Sequence, residues 1–274
     1  MILFPCAKIN LGLSILEKRK DGFHSIETVF YPIGLSDILE INIYDDRQFG
    51  KIEFSQSGIL IPGDKEGNLC IKAYQLLSKK YHLKSISAHL HKRIPIGAGL
   101  GGGSSDAASF LISLNEFLKI GLSETELFHY AGELGSDCPF FIMNSPAFAT
   151  GRGEVLSSVS IDLSGKYLVL VKPEIHINTK EAYAGVRPRI LEESVKDIVS
   201  NDLSSWKERL HNQFEDTLFE VHPQIAYIKS RLYEMGAIYA SMSGSGSTVF
   251  GLFTDEIDLG HQFKNSFVWQ EQLK

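Results

Sequence analysis

Five glycines fall within seven residues of this 274-residue chain, in the run Pro95-Ile-Gly-Ala-Gly-Leu-Gly-Gly-Gly-Ser-Ser105. Glycine takes positive φ without strain and lets the backbone approach a ligand closely, at an entropic cost that a plain connector need not carry. The run is flanked by regular structure. Before it, Ile86, Ala88 and Leu90 share one face of a strand pattern; after it, Ala107, Phe110, Leu111, Leu114 and Phe117 recur at helical spacing. Ser104 and Ser105 stand where an N-cap belongs. A glycine loop opening a helix offers N–H groups and the positive end of the helix dipole, which suits a phosphate.

Three familiar phosphate loops do not fit. Gly97, Gly99 and Gly102 have GxGxxG spacing, but no second strand ends in an acidic residue about 20 positions on, as ribose recognition requires. Gly97 and Gly102 have Walker spacing, yet Gly103-Ser104 stands where Lys-Ser/Thr is demanded. The catalytic-loop and DFG motifs of protein kinases are absent.

Composition narrows the class. Hydrophobic residues make up 43% and charged residues 22%, ordinary for a soluble globular protein. The net charge of −6 supplies no basic field for nucleic acid. No apolar run approaches the ~20 residues that span a bilayer. Cys6, Cys70 and Cys138 are too dispersed for a zinc knuckle, and their odd number argues against a disulfide framework. His89 and His91 share a strand face with no third ligand nearby, so they read as surface residues and no protein metal site is expected. The opening reaches Lys8 without a basic leader, and the expectation is a reduced, cytoplasmic protein.

The first ninety residues read as strands, with Leu39, Ile41 and Ile43 alternating with Ile38, Glu40, Asn42 and Tyr44. A capping-box pattern, Ser123-Glu-Thr-Glu126, starts a helix that Gly135 is placed to stop. Lys166–Val171 reads as a buried strand, and a later helix runs from Pro223 to Gly236. The small-residue loop Ser241–Thr248 then feeds the strand Val249–Phe253. Turn residues around Gly151-Arg-Gly153 and Ser157-Ser158 set a boundary near residue 155, giving domains 1–155 and 156–274. Both mix helix and strand without strict βαβ alternation, which favours α+β.

Pro95–Ser105 resembles the phosphate-binding motif of the GHMP kinases. Ala7-Lys-Ile-Asn-Leu-Gly12 resembles the first motif of that family and Ser243-Gly-Ser-Gly-Ser247 its C-terminal glycine motif, in the same order, over residues 5 to about 250. The resemblance implies an N-terminal lobe like domain 2 of ribosomal protein S5 and a ferredoxin-like C-terminal lobe. It implies ATP-dependent phosphorylation of a small alcohol, with Mg²⁺ held by few protein ligands. Pro95, Ile96, Gly97, Ala98, Gly99, Leu100, Gly101, Gly102, Gly103, Ser104 and Ser105 then hold ATP, with Asn68 on the adenine side. By residue type alone, Asn68 is equally a helix cap. None of Ser104, Ser105 and Asp106 has diagnostic metal-ligand spacing.

The implied catalytic pair is Lys8 and Asp137. Asp137, before Cys138-Pro139, reads on its own as a turn former; in the family the matching Asp lies beside the acceptor hydroxyl, as base or as orienting group. The apolar neighbours Ala7 and Ile9 point Lys8 away from its strand's core face, into solvent or a cleft, and the resemblance has it facing the Asp. Asp21-Gly-Phe-His24 and Gly135-Ser-Asp-Cys-Pro139 favour, within the family, an acceptor that is a cytidine-bearing diphosphate alcohol. Asn10, Phe23, His24, Thr179 and Tyr183 are its implied contacts, with His24 at the cytosine edge. Phe23 replaces the family's Tyr and lacks its hydroxyl; Tyr183 fits a stacked base, though core packing is the commoner role of an aromatic.

Two alternatives remain: a homoserine- or mevalonate-type acceptor, and a nucleotide-binding regulator without chemistry. Retention of both Lys8 and Asp137 speaks against the regulator. A nucleic-acid or membrane partner is not expected, and monomer and homodimer are equally open.

Overall fold

The structure is a computed structural model and describes residues 1–44, 50–190 and 192–274. Strands β1 (Ile2–Leu3), β2 (Cys6–Lys18), β3 (His24–Ser36), β4 (Ile38–Ile43) and β5 (Ile52–Gly58) come first. Helix α1 (Leu69–Ser78), strand β6 (Ile86–Lys92) and helices α2 (Gly102–Phe117), α3 (Glu124–Leu134) and α4 (Cys138–Met143) follow. Next are β7 (Ala147–Thr150), β8 (Val155–Ser158), β9 (Tyr167–Pro173), α5 (Thr179–Ala184), α6 (Val195–Val199), α7 (Trp206–Arg209), α8 (Glu215–Val221) and α9 (Pro223–Glu234). The chain closes with β10 (Tyr239–Met242), β11 (Val249–Phe253) and β12 (Ser266–Gln272).

Two compact units share these elements. The first is built from Met1–Ala7, Leu35–Ile96 and Gly101–Asn144. Its sheet has the order β1-β4-β6-β5, with β5 and β6 parallel and the other pairs antiparallel. The inward positions Leu39, Ile41, Ile86, Ala88 and Leu90 pack with Ala107, Phe110, Leu111 and Leu114 of α2 and with α1. Cys70, Ala73, Tyr74 and Leu77, buried in α1 together with Ile71, follow the i, i+3, i+4, i+7 pattern, so the strand-rich reading of the first ninety residues missed a helix. On the polar face, His89 contacts the hydroxyls of Ser55 and Ser57, both at 2.8 Å, and His91 that of Ser57 at 2.9 Å. The capping box at Ser123 forms as expected.

The second unit comprises Lys8–Gly34, Gly97–Leu100 and Ser145–Lys274. One of its sheets has the order β2-β3-β7-β8. The other is antiparallel with the order β10-β11-β9-β12, which is the strand order of a ferredoxin-like lobe. Val169, Val171, Ala240, Met242 and Val249 bury its inner face against Ile225, Ile228 and Leu232 of α9 and against Leu13 and Ile15 of β2. Pro at the first position of α9 and Gly236 at φ +96° just beyond it mark the helix ends read from sequence. Along the chain the stretches that form the two compact units alternate. The glycine run itself changes unit between Leu100 and Gly101.

Candidate active site

In the first unit, α2 begins at Gly102 and its N-cap is Gly101, in left-handed backbone at φ +70°. Ser104 and Ser105, expected as caps, lie inside the first turn, where the Ser105 N–H donates to the Gly101 carbonyl at 2.9 Å. No side chain caps α2, so its N-terminal amides are presented by the glycines. The consecutive glycines have different constraints. A Cβ on Gly102 would sit 2.9 Å from both Lys92 Nζ and Ile94 Cγ2, whereas one on Gly103 would meet nothing within 4 Å.

Lys92 fills that space for a reason. Its ammonium, 3% exposed, bonds Asp37 Oδ2 and lies 2.8 Å from Asp106 Oδ2. Asp37 Oδ1 accepts the N–H groups of Arg93 at 2.5 Å and Ile94 at 2.8 Å. This buried triad ties the exit of β6 to α2 and the β3–β4 junction. Asp106 Oδ1 is buried with no hydrogen-bond partner. Burial is the chief cause that raises the Asp106 carboxyl to about 7; Lys92 pulls it down and Asp37 pushes it up. Burial works against the Lys92 ammonium, but the two carboxylates hold its pKa above the ordinary lysine value.

Asp137 occupies the cap position of α4 with helical backbone and makes no capping bond with its side chain. The turn-former role is carried instead by backbone, with Cys138 N–H donating to Gly135 O at 3.1 Å. Burial raises the neighbouring Cys138 thiol to about 12, so it stays protonated. Asn68 does cap α1, its side chain accepting the Cys70 N–H at 2.8 Å.

The second unit holds the first and last glycine-linked motifs. Of the two directions that alternation with Ala7 and Ile9 leaves open, solvent or a cleft, solvent is excluded: Lys8 is 3% exposed, because β2 is buried on both faces from Ala7 to Ile15. Its ammonium donates to Asn10 Oδ1 at 2.5 Å and to the Gly99 carbonyl at 3.0 Å. Asn10 Nδ2 donates to Thr28 Oγ1 at 2.9 Å, so both ends of this amide are engaged by protein. Ser243 Oγ donates to the same Gly99 carbonyl at 2.9 Å and accepts the Asn10 N–H at 3.2 Å. Gly99 has φ +75°, and a Cβ there would fall 1.9 Å from the Ser243 carbonyl oxygen.

In the same unit, His24 and Tyr183 stack with ring centroids 4.6 Å apart and planes 16° from parallel. Tyr183 also meets Phe214 edge-on at 4.9 Å, which joins it to the core as well as to His24. Burial, then Lys18, lowers the His24 pKa, so the ring is neutral at pH 7. Phe23 is 52% exposed and lies apart from that stack, under the Arg152 guanidinium at 4.8 Å. Thr179 opens α5 and is exposed. Sequence reasoning missed Lys92, Asp37, Thr28 and Arg152, and it placed Asp106 near the phosphates without its buried ion pair to Lys92. Lys92 left one legible trace, since it falls on the inward face of β6 with Ile86, Ala88 and Leu90.

Among the described residues, no group of three or more His, Cys, Asp or Glu side chains is placed to hold a metal ion. Likewise, no helix is long and apolar enough to cross a membrane.

Residues 68–151 match the GHMP kinases N terminal domain and residues 194–263 the GHMP kinases C terminal domain. The chain belongs to the GHMP kinases. As a GHMP kinase it is an ATP-dependent phosphotransferase, and its α+β fold is that of the family. A 4-diphosphocytidyl-2-C-methyl-D-erythritol kinase from Bacteroides thetaiotaomicron is 52% identical over 256 residues, covering 93% of each chain. The protein of that name from Cytophaga hutchinsonii is 49% identical over 263 residues, covering 96% of each. A solved 4-(cytidine 5'-diphospho)-2C-methyl-D-erythritol kinase superposes with a TM-score of 0.81 at 29% identity, covering 98% of both chains. A homoserine kinase structure shares the fold at a TM-score of 0.66 and 18% identity.

Proposed function

We propose that this GHMP kinase phosphorylates the 2-hydroxyl of 4-diphosphocytidyl-2-C-methyl-D-erythritol, giving the 2-phosphate and ADP, in the non-mevalonate route to isoprenoid precursors. The observation that carries the phosphotransfer reading is the Lys8 ammonium bonded to the carbonyl of Gly99, within the glycine run itself. A buried ammonium on a phosphate loop has a use in neutralising charge on a moving phosphoryl group. The acceptor reading rests on the full-length relatives and on the neutral His24 ring beside Tyr183.

The residues fit ATP: the uncapped N-terminus of α2 and the left-handed Gly101 leave backbone amides to meet phosphate oxygens. ATP with Mg²⁺, when bound, supplies the phosphoryl group and offsets its charge, and a hard dication on phosphates needs few protein ligands. Asp137 accepts the hydroxyl proton or orients the hydroxyl as its oxygen attacks phosphorus. Lys8 stabilises the charge that develops in the transition state. His24 reads the cytosine edge through a ring nitrogen. Tyr183, or Phe23 with its Arg152 neighbour, supplies an aromatic face. Residues 1–155 are the ATP-binding domain in this reading, and 156–274 contribute Thr179 and Tyr183 to the acceptor pocket. The enzyme works in the cytoplasm.

The test is ADP release with Mg·ATP and a panel of the cytidyl alcohol, homoserine and mevalonate. Turnover of the cytidyl alcohol alone supports the reading. Turnover of another member in its place overturns it.

A further inference from the structure

We propose that Asn212 is a positioning residue for the Lys8 ammonium, acting through Ser243 and Gly99; the catalytic consequence rests on the phosphotransfer reading above. Asn212 is 1% exposed. Its side-chain nitrogen donates to two carbonyls, Met242 O at 2.7 Å and Gly244 O at 2.8 Å, while Oδ1 accepts the Phe214 N–H at 3.1 Å. Two carbonyl acceptors on one nitrogen fix which way the amide points.

Those carbonyls flank Ser243. Drawing both toward one nitrogen bends the chain around it, with Gly244 at φ +55°, and leaves Ser243 Oγ on the Gly99 carbonyl. A Cβ on Gly244 would lie 3.2 Å from Asn10 Oδ1 and 3.3 Å from Gly99 O, so the bend is pressed against the groups that hold Lys8. The backbone on either side of Asn212 is itself fastened to β2. Leu13 N–H donates to His211 O at 2.9 Å, and Gln213 N–H to Leu13 O at 2.8 Å. β2 also carries Lys8 and Asn10. The contacts therefore close a ring from β2 through Asn212, the Ser243 turn and Gly99 back to Lys8. A gap in that ring moves the Gly99 carbonyl, which is an acceptor for the Lys8 ammonium.

The experiment uses the full chain and four variants: Asn212→Ala, Ser243→Ala, their double variant, and Leu77→Ala as a core control. Tm, kcat and KM are measured with Mg·ATP and the cytidyl alcohol. Positioning of a transition-state group predicts a fall in kcat of at least about 10-fold in each single variant, with KM changed less than about 3-fold. The double variant falls no further than the worse single, because both break one relay. Leu77→Ala, despite its lowered Tm, keeps kcat within about 2-fold, since it lies in the core of the first unit, which holds no member of the relay. A readout independent of turnover is the ¹³Cε signal of Lys8 in lysine-labelled protein, assigned with Lys8→Arg. It shifts in Asn212→Ala and in Ser243→Ala.

An unmoved Lys8 signal, or additive losses in kcat, overturns the proposal. If Asn212→Ala does not fold, Ser243→Ala decides by the same two readouts. Wild-type protein inactive on the cytidyl alcohol defeats the functional reading instead, and the Lys8 signal alone then judges the positioning.

Discussion

Lys8 Nζ and Ser243 Oγ, from opposite ends of the chain, donate to the same carbonyl oxygen, that of Gly99, at 3.0 and 2.9 Å. One atom of the glycine run thus joins the N-terminal and C-terminal motifs. Gly99 has no room for a side chain at this junction, since a Cβ would overlap the Ser243 carbonyl. Lys8, Gly99 and Ser243 are far apart in sequence and meet in the second unit.

Asp137→Asn is close to isosteric and removes the charge and basicity of a group that does not cap its helix. The expected result is a kcat lowered by about 10²–10⁴-fold, the usual worth of general-base help, with Tm unchanged. Stopped assays and a melting curve on the same preparation check it. Turnover within about twofold of wild type contradicts the assignment.

Gly101→Val and Gly103→Ala separate the glycines by their backbone needs. Gly101 caps α2 at φ +70°, where a β-branched residue is strained, so isothermal titration is expected to show ATP affinity reduced about 10-fold or more. Gly103 has helical backbone and open space at its Cβ position, so Gly103→Ala is expected to hold or raise stability, by up to about 1 kcal/mol of helix propensity. Undiminished ATP affinity in Gly101→Val removes the phosphate-cradle argument.

Asp106 predicts a pH effect on stability. Its folded carboxyl is raised to about 7, against an unfolded value near 3.9, so the native state binds the extra proton between those limits. The stability this group contributes therefore falls as pH rises from about 4 to about 7. Asp106→Asn removes the titration and the repulsion from Asp37 while keeping the side chain's size. Urea unfolding at pH 5 and pH 8 is expected to show the variant gaining on wild type at the higher pH by about 2 kcal/mol. Parallel pH dependence in the two proteins contradicts this role for the Lys92 triad.

His24→Ala tests cytosine recognition. Cytosine presents an amino donor beside a ring-nitrogen acceptor and uracil reverses them, so a fixed partner satisfies only one base. A site left with unpaired buried polar groups discriminates by up to about 10⁴-fold. Wild type is expected to prefer the cytidyl alcohol over its uridyl analogue in kcat/KM, and His24→Ala to lose most of that preference while keeping ATP affinity. Equal use of both analogues by wild type contradicts a cytidine pocket.

The glycine run, the capping box at Ser123 and the strand Val249–Phe253 were legible because each depends on residues adjacent in sequence. What escaped depends on distant partners. Lys92 and Asp37 are 55 positions apart, and nothing local marks them as an ion pair. Strand alternation left Lys8 facing solvent or a cleft, and it could not choose between them because the cover over both faces of β2 comes from residues distant in sequence. Ser104 and Ser105 lost the cap position to Gly101, because left-handed backbone turns the chain into the helix earlier than side-chain preference indicates. The partners of Phe23 and Tyr183 were not legible either: His24 stacks on Tyr183, and the Arg152 guanidinium lies over Phe23.

The most direct measurement is the identity of the product formed from Mg·ATP and 4-diphosphocytidyl-2-C-methyl-D-erythritol. Phosphorus NMR of the reaction is expected to show one new phosphomonoester signal, coupled to the carbons around position 2 of the methylerythritol, with ADP in equal amount. A phosphoryl group on any other hydroxyl, or ADP formed without a new ester, contradicts the proposed reaction.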